Sequence, residues 1–335
     1  MTRHQLSNNH HVAASVVVAA ILALGASFGV AWAAGMRTVV HTLVHPSWQW
    51  LAAAVVGQVF AYLGYTLAYR EIVRAEGGTE LDVPKVAALV ATGFGVFVHA
   101  GGFALDRAAL ERAGLSRREA RARVLGLGFL EYLVLAPAAA VAAALVLLWR
   151  EGVDTTLTLP WLIGVPVGAV MAGVAVWQRR RLDRSRGGWR MHVRDALDAL
   201  VLVLCLARWP FTYGLAVVGM ALYWLGDMFT LWAALHAFSA QSPPVSHLVL
   251  GYATGYALTR RTLPLGGAGV VEALLPFALG WVAIGLAPAL AAVLAYRTLN
   301  LWLPMIPALA GLPTLRALER RRPARGRTPL RGSID

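Results

Sequence analysis

A chain of 335 residues that is 58% hydrophobic and only 14% charged is not an ordinary soluble domain, where about a quarter of residues carry charge. Its net charge of +13 is carried by arginine, with Lys85 the one lysine, and the arginines crowd at the ends of apolar runs. That pattern points to orientation in a bilayer rather than to nucleic acid. The single cysteine, Cys205, excludes an intramolecular disulfide and any cysteine-based metal site, and reads as a packing residue.

The first apolar run, Val12–Gly35, follows Arg3 and ends in the small residues AWAA, as a secretory leader would. It is longer than the ~7–15-residue apolar region of a leader, so it predicts a retained helix. His41 and His45 are spaced i, i+4, but no acidic or cysteine partner is near, so they mark an interfacial helix face. Further apolar segments follow at Trp48–Tyr69, Pro84–Ala100, Val124–Trp149, Pro160–Trp177, Phe211–Phe238, Ser246–Thr259, Gly269–Gly285 and Leu286–Gly311. Several reach the ~20 residues that cross a bilayer core, which predicts an all-α polytopic integral membrane protein with about six to eight transmembrane segments.

The polar connections are uneven. Arg70–Lys85, Leu105–Arg123, Gln178–Arg194 and the tail from Arg316 are rich in basic residues, whereas Arg150–Leu159 and Ser239–His247 hold only Arg150. The positive-inside rule then places both termini and the basic loops in the cytoplasm, and the protein in the cell membrane. Runs such as Arg179–Arg181 and Arg320–Arg322 are expected to meet anionic lipid heads. Basic loops flank Pro84–Ala100 on both sides, and the segment is short. It is therefore expected to enter and return as a re-entrant hairpin, turning near Gly101 and Gly102.

The second half echoes the first. LDVPKVAALVATGFGVFVHAGG (Leu81–Gly102) resembles SPPVSHLVLGYATGYALTRRTLPLGG (Ser242–Gly267), each ending in Gly-Gly. RAGLSRREARARVL (Arg112–Leu125) aligns loosely with AIGLAPALAAVLAYR (Ala283–Arg297), and HPSWQW (His45–Trp50) mirrors RWPFTY (Arg208–Tyr213). With the loop charges, the two hairpins enter from opposite sides, which describes inverted-topology repeats. Repeat one covers about 12–150 and repeat two about 160–311 of a membrane domain 1–311, with 312–335 a basic cytoplasmic tail. A second reading makes Ser246–Gly285 two short spans, without changing the topology.

Ionisable residues inside membrane segments are expensive, roughly 2.5–3.5 kcal/mol at a helix centre, and are functional candidates. Here they are Glu131, Asp227, Glu272 and Arg297, with Arg260 and Arg261 before the second Gly-Gly and His99 beside the first. In one reading the arginines receive an anionic head group and the carboxylates balance them or bind a cation. In the other they are buried ion pairs, such as Arg297 with Asp227 or Glu272, and His99 is a packing residue. Gly266, Gly267 and Gly269 permit positive φ, and N–H groups freed at such a turn can hold phosphate. No P-loop, HExxH, GxSxG or CxxC motif occurs, so neither ATP drive nor an enzyme activity is expected, nor a cofactor or metal.

LPLGGAGVVEALL followed by GLAPALAAVLAYRTLNLWLP resembles the lysylphosphatidylglycerol synthase transmembrane region, a flippase-like domain family. That family's pattern is PGGLGVVE, then a helix with YR and a later WLP. RAGLSRREARARVLGLGFLEYL resembles its first-half pattern, and the likeness runs from about Val12 to Gly311. Leu265 stands where the pattern has proline, with Pro264 one residue earlier. The resemblance implies a lipid-handling domain and carries over Gly266, Gly267, Gly269, Glu272, Arg297 and Glu131. The sequence ends 24 residues after Gly311 (335 minus 311), so a synthase domain and lysyl transfer are not expected.

The expected substrate-binding set is therefore Arg260, Arg261, Gly266, Gly267, Gly269, Glu272, Arg297, Glu131, His99, Gly101 and Gly102. The expected function is translocation of a lipid or polyprenyl-linked amphiphile between leaflets. Its partner would be an anionic or aminoacylated phospholipid or a polyprenyl phosphate, with no nucleic acid, and with a homo-oligomer left open. A secondary transporter of a small soluble substrate and a non-catalytic partner of a lipid-modifying enzyme are the alternatives.

Overall fold

The computed structural model describes residues 3–94, 102–149, 152–182, 188–238, 243–257 and 264–304, all helix and connecting turns, with no strand among them. His99, Gly101, Arg260, Arg261 and the 312–335 tail lie outside the described residues. The helices are α1 (Arg3–Ala34), α2 (Met36–Val44), α3 (Trp48–Arg74), α4 (Val83–Phe94), α5 (Gly102–Arg112), α6 (Arg117–Leu148), α7 (Thr155–Leu182), α8 (Gly188–Arg208), α9 (Pro210–Phe238), α10 (Val245–Tyr252), α11 (Val270–Trp281) and α12 (Leu286–Arg297). Five of them, α1, α3, α6, α7 and α9, contain stretches long and apolar enough to cross a membrane. The shorter α10, α11 and α12 are linked by irregular turns instead.

The centre of the molecule is the antiparallel pair α3 and α9. Its axis is a stripe of small residues. A Cβ added at Gly64 would lie 2.6 Å from the Gly219 carbonyl oxygen, and one at Gly226 would lie 2.6 Å from that of Gly57. Two backbones can approach this closely only when glycine stands at the crossing, which is how helices associate where lipid removes the hydrophobic drive. Thr230 adds a hydroxyl bond of 3.2 Å to the Ala54 carbonyl, and the Ser47 N–H donates to the Ala237 carbonyl at 2.9 Å. Around this pair α6, α10 and α12 close a core that includes Tyr65, Tyr223, Trp224, Tyr252 and Tyr296, each at most 2% exposed.

Local signals explain several boundaries. SRRE at Ser116–Glu119 forms a capping box: the Ser116 hydroxyl accepts from the Glu119 N–H at 3.3 Å, and Glu119 accepts from the Ser116 N–H at 2.9 Å. Four residues after Glu119, the buried Arg123 donates to the Val73 and Ala75 carbonyls at 3.1 and 2.8 Å, satisfying the C-terminal end of α3. Pro137, Pro160, Pro166 and Pro276 sit inside helices, as membrane helices tolerate.

One expectation is corrected. Gln178–Arg194 reads as a loop, yet α7 runs on to Leu182 and α8 already begins at Gly188. Just beyond that stretch, α8 is tied to α6 by ion pairs, Arg118 with Asp198 and Arg121 with Asp195 at 3.2 Å. α8 is amphipathic, with its charged first turns on this seam and an apolar remainder.

Candidate functional site

After α10 the chain makes a π-helical turn, Ala253–Ala257. It reappears at Pro264–Gly267, where Leu265, Gly266 and Gly267 have φ of 57°, 63° and 69°. Gly269, at φ 85°, is the N-cap of α11. A Cβ at Gly269 would meet the Leu22 backbone oxygen of α1 at 3.1 Å, so this position needs glycine both for its conformation and for the packing of α1. α12 ends in a second π turn, Thr298–Trp302. π turns inside helices are frequent at functional sites.

Two buried polar clusters hold these irregular pieces. In the first, Glu272 is the third residue of α11, and its Oε2 accepts the Gly269 N–H at 2.7 Å. Its Oε1 accepts from Arg297 Nε, also at 2.7 Å, and Arg297 Nη2 donates to the Gly266 carbonyl at 3.0 Å. The two side chains are 1% and 2% exposed. Arg297 is the last of the twelve residues of α12, about 18 Å along the helix from its start. The clasp thus ties the tip of the Gly-Gly turn to the end of α12. It also corrects one expectation: the Gly269 N–H is engaged by Glu272 rather than offered to a phosphate.

The second cluster surrounds Asp227 of α9, which is fully buried. Tyr252, just before the first π turn, donates its hydroxyl to this carboxylate. Tyr296 donates at 2.5 Å, and the Asn300 amide, within the second π turn, donates to the other oxygen. One carboxylate therefore gathers donors from α10, α12 and the π turn after it.

Glu131, in α6, is 6% exposed. The Tyr65 hydroxyl donates to its Oε1 at 2.8 Å, and the Trp224 indole N–H donates to its backbone carbonyl at 2.9 Å. Trp224 stacks edge-on to Tyr252 with ring centroids 5.9 Å apart, so an aromatic wall joins the Glu131 and Asp227 clusters. Tyr69 reaches Asp106 of α5 at 3.5 Å on the far side of the same region.

The expected residues therefore divide. Gly266, Gly269, Glu272 and Arg297 form one clasp, with Gly267 in its turn. Glu131 belongs to a separate tyrosine-bonded cluster, and Gly102 opens α5. Sequence reasoning weighed Asp227 without including it, and it missed Tyr65, Tyr252, Tyr296 and Asn300. Tyrosine in an apolar segment reads as interfacial or core; adjacency to Arg297 could have marked Tyr296, and no neighbouring charge marks the other three. No group of three metal-capable side chains occurs among the described residues.

Membrane-length helices, broken short helices and a buried polar centre define a polytopic helical membrane protein. Residues 12–308 match the family described as the lysylphosphatidylglycerol synthase TM region, and the chain belongs to that family. Membership makes it a lipid-related membrane protein. No curated protein matches it.

Proposed function

We propose that this protein moves an amphiphile, a phospholipid or a polyprenyl-linked lipid, between leaflets, and that it carries out no bond chemistry itself. The observation that carries the reading is the convergence of three irregular segments, Ala253–Ala257, Pro264–Gly267 and Thr298–Trp302, on the buried charges of Asp227, Glu272 and Arg297 inside apolar segments. Irregular backbone within a membrane domain is tolerated only where protein covers it or a polar cavity adjoins it. Such discontinuous helices are where transporters of inverted-repeat design bind their substrates.

The inverted repeat has its own support. AVVG at Ala54–Gly57 recurs at Ala216–Gly219, and ATGF at Ala91–Phe94 recurs as ATGY at Ala253–Tyr256, both 162 positions on (219 minus 57; 253 minus 91). These place Gly57 and Gly64 of α3 in register with Gly219 and Gly226 of α9, the glycines that meet across the antiparallel axis. The same offset makes Asp227 the counterpart of Tyr65 in the other half. Tyr65 bonds Glu131 in one half, and Asp227 accepts from Tyr296 in the other. In this reading α4 and α5 form one hairpin and α10 and α11 the other, opening to opposite sides, with both termini cytoplasmic.

Arg297 and Glu272 are satisfied by one another, which favours a second reading in which the clasp only holds the fold and the protein serves as a membrane partner of a lipid-modifying enzyme. Reconstitution into liposomes with head-group-labelled phospholipids separates the two. The translocation reading expects protein-dependent loss of leaflet asymmetry. It expects that activity to fall in the Arg297→Ala/Glu272→Ala double variant, which leaves no buried charge unpaired, while folding and insertion persist. A wild-type protein that flips neither anionic, zwitterionic, aminoacylated nor polyprenyl-phosphate lipid would favour the partner reading.

A further inference from the structure

We propose that the seam between α6 and α8 is a binding site for one anionic phospholipid, separate from the polar centre and independent of the translocation reading. Two cavities lie end to end along this seam. The first, of about 380 Å³, is lined by Arg107, Arg121 and His192, with Asp195 the one carboxylate in its wall. The second, of about 780 Å³, is lined almost wholly by apolar side chains of α6, α7 and α8.

The two are built from successive turns of the same helix faces. On α6, Arg121 and Leu125 line the first cavity, and Phe129 and Leu133 the second, at steps of four. On α8, His192 and Ala196 line the first, and Leu200 and Leu204 the second, again at steps of four. Residues four apart share one helix face, so a charged end continues directly into an apolar trough. That is the profile of a phospholipid: phosphate, then acyl chain.

The trough opens to the bilayer rather than to water. Its outer wall is α7, and none of Leu159–Gln178 is buried. Gly164 and Gly168 line the trough from α7, and a Cβ at either would meet nothing within 4 Å. Hydrocarbon is the solvent there, so the occupant is an acyl chain. At the other end two guanidiniums and a histidine face one carboxylate, which selects a negative head group over a zwitterionic one. Arginine binds phosphate in a fork of N–H donors, and basic pockets between membrane helices are known sites for anionic lipid heads.

The test uses the full-length protein reconstituted in vesicles of equal phosphatidylglycerol and phosphatidylcholine, extracted mildly, with retained lipid counted by native mass spectrometry. The wild type is expected to hold one phosphatidylglycerol in preference to phosphatidylcholine. Gly168→Phe, which fills the trough without displacing backbone, is expected to lose that lipid. Arg107→Gln, at a side chain 44% exposed with a long ion pair of 3.7 Å to Glu111, is expected to reduce the preference roughly tenfold. Arg121→Gln is expected to do the same, and Arg107→Gln serves as the control for its lost pair with Asp195. Undiminished phosphatidylglycerol retention by Gly168→Phe would overturn the chain assignment. Equal retention of the two lipids by the wild type would overturn the head-group assignment.

Discussion

At Arg297 the physics of a buried pair dominates. Guanidinium and carboxylate are almost fully withdrawn from solvent, and each also bonds backbone within the turn they hold. Removing one partner strands a buried charge, at a cost of about 3–5 kcal/mol, whereas an apolar pair of similar volume often costs little. Arg297→Ala and Glu272→Ala should each lower the thermal unfolding midpoint strongly in detergent, and Arg297→Met/Glu272→Leu should lie above both single variants. A double variant no better than the worse single would mean that Glu272 acts mainly as the cap of α11. Asp227 follows the same logic with neutral donors. Asp227→Asn keeps the shape but turns an acceptor into a donor facing the Asn300 amide, so it should destabilise more than Tyr296→Phe, which removes one bond of about 1–3 kcal/mol. Paired unfolding curves check that order.

Among the elements, α3 and α9 depend on contact between their backbones. The atoms a Cβ would meet at Gly64 and Gly226 are backbone atoms of the partner helix, as near as 2.5 Å, so no rotamer change relieves the clash. Gly64→Leu and Gly226→Leu should exceed the ~1–3 kcal/mol usual for overpacking and sharply reduce folded protein in fluorescence-detected gel filtration. Gly25→Leu and Gly29→Leu on α1, where nothing lies within 4 Å, should leave the profile unchanged. Most long helices were legible because bilayer thickness demands long apolar runs, and Trp48, Trp149 and Phe238 fall at or beside real helix ends, whereas α6 begins at Arg117, seven residues before the expected Val124. α8 was not legible, since Asp195 and Asp198 look solvated until Arg118 and Arg121 are seen to meet them from α6. Glu272 and Arg297 could be read because charge in an apolar run is costly. Their tyrosine and asparagine neighbours carry no such penalty and emerged only from three-dimensional contact.

At the scale of the whole molecule, the proposed arrangement is two halves that face opposite ways and meet at a polar centre. The repeated AVVG and ATG[FY] segments and the antiparallel glycine axis support that proposal. Its most direct test is side-specific labelling of single cysteines in a Cys205→Ser background, one at the mouth of each hairpin. Asp82→Cys precedes α4, and Val245→Cys, at a residue 71% exposed, opens α10. With a membrane-impermeant maleimide on intact cells and on inverted vesicles, Asp82→Cys should label only in inverted vesicles and Val245→Cys only in intact cells. Labelling of both from the same side would contradict the inverted arrangement and, with it, the passage between the two halves.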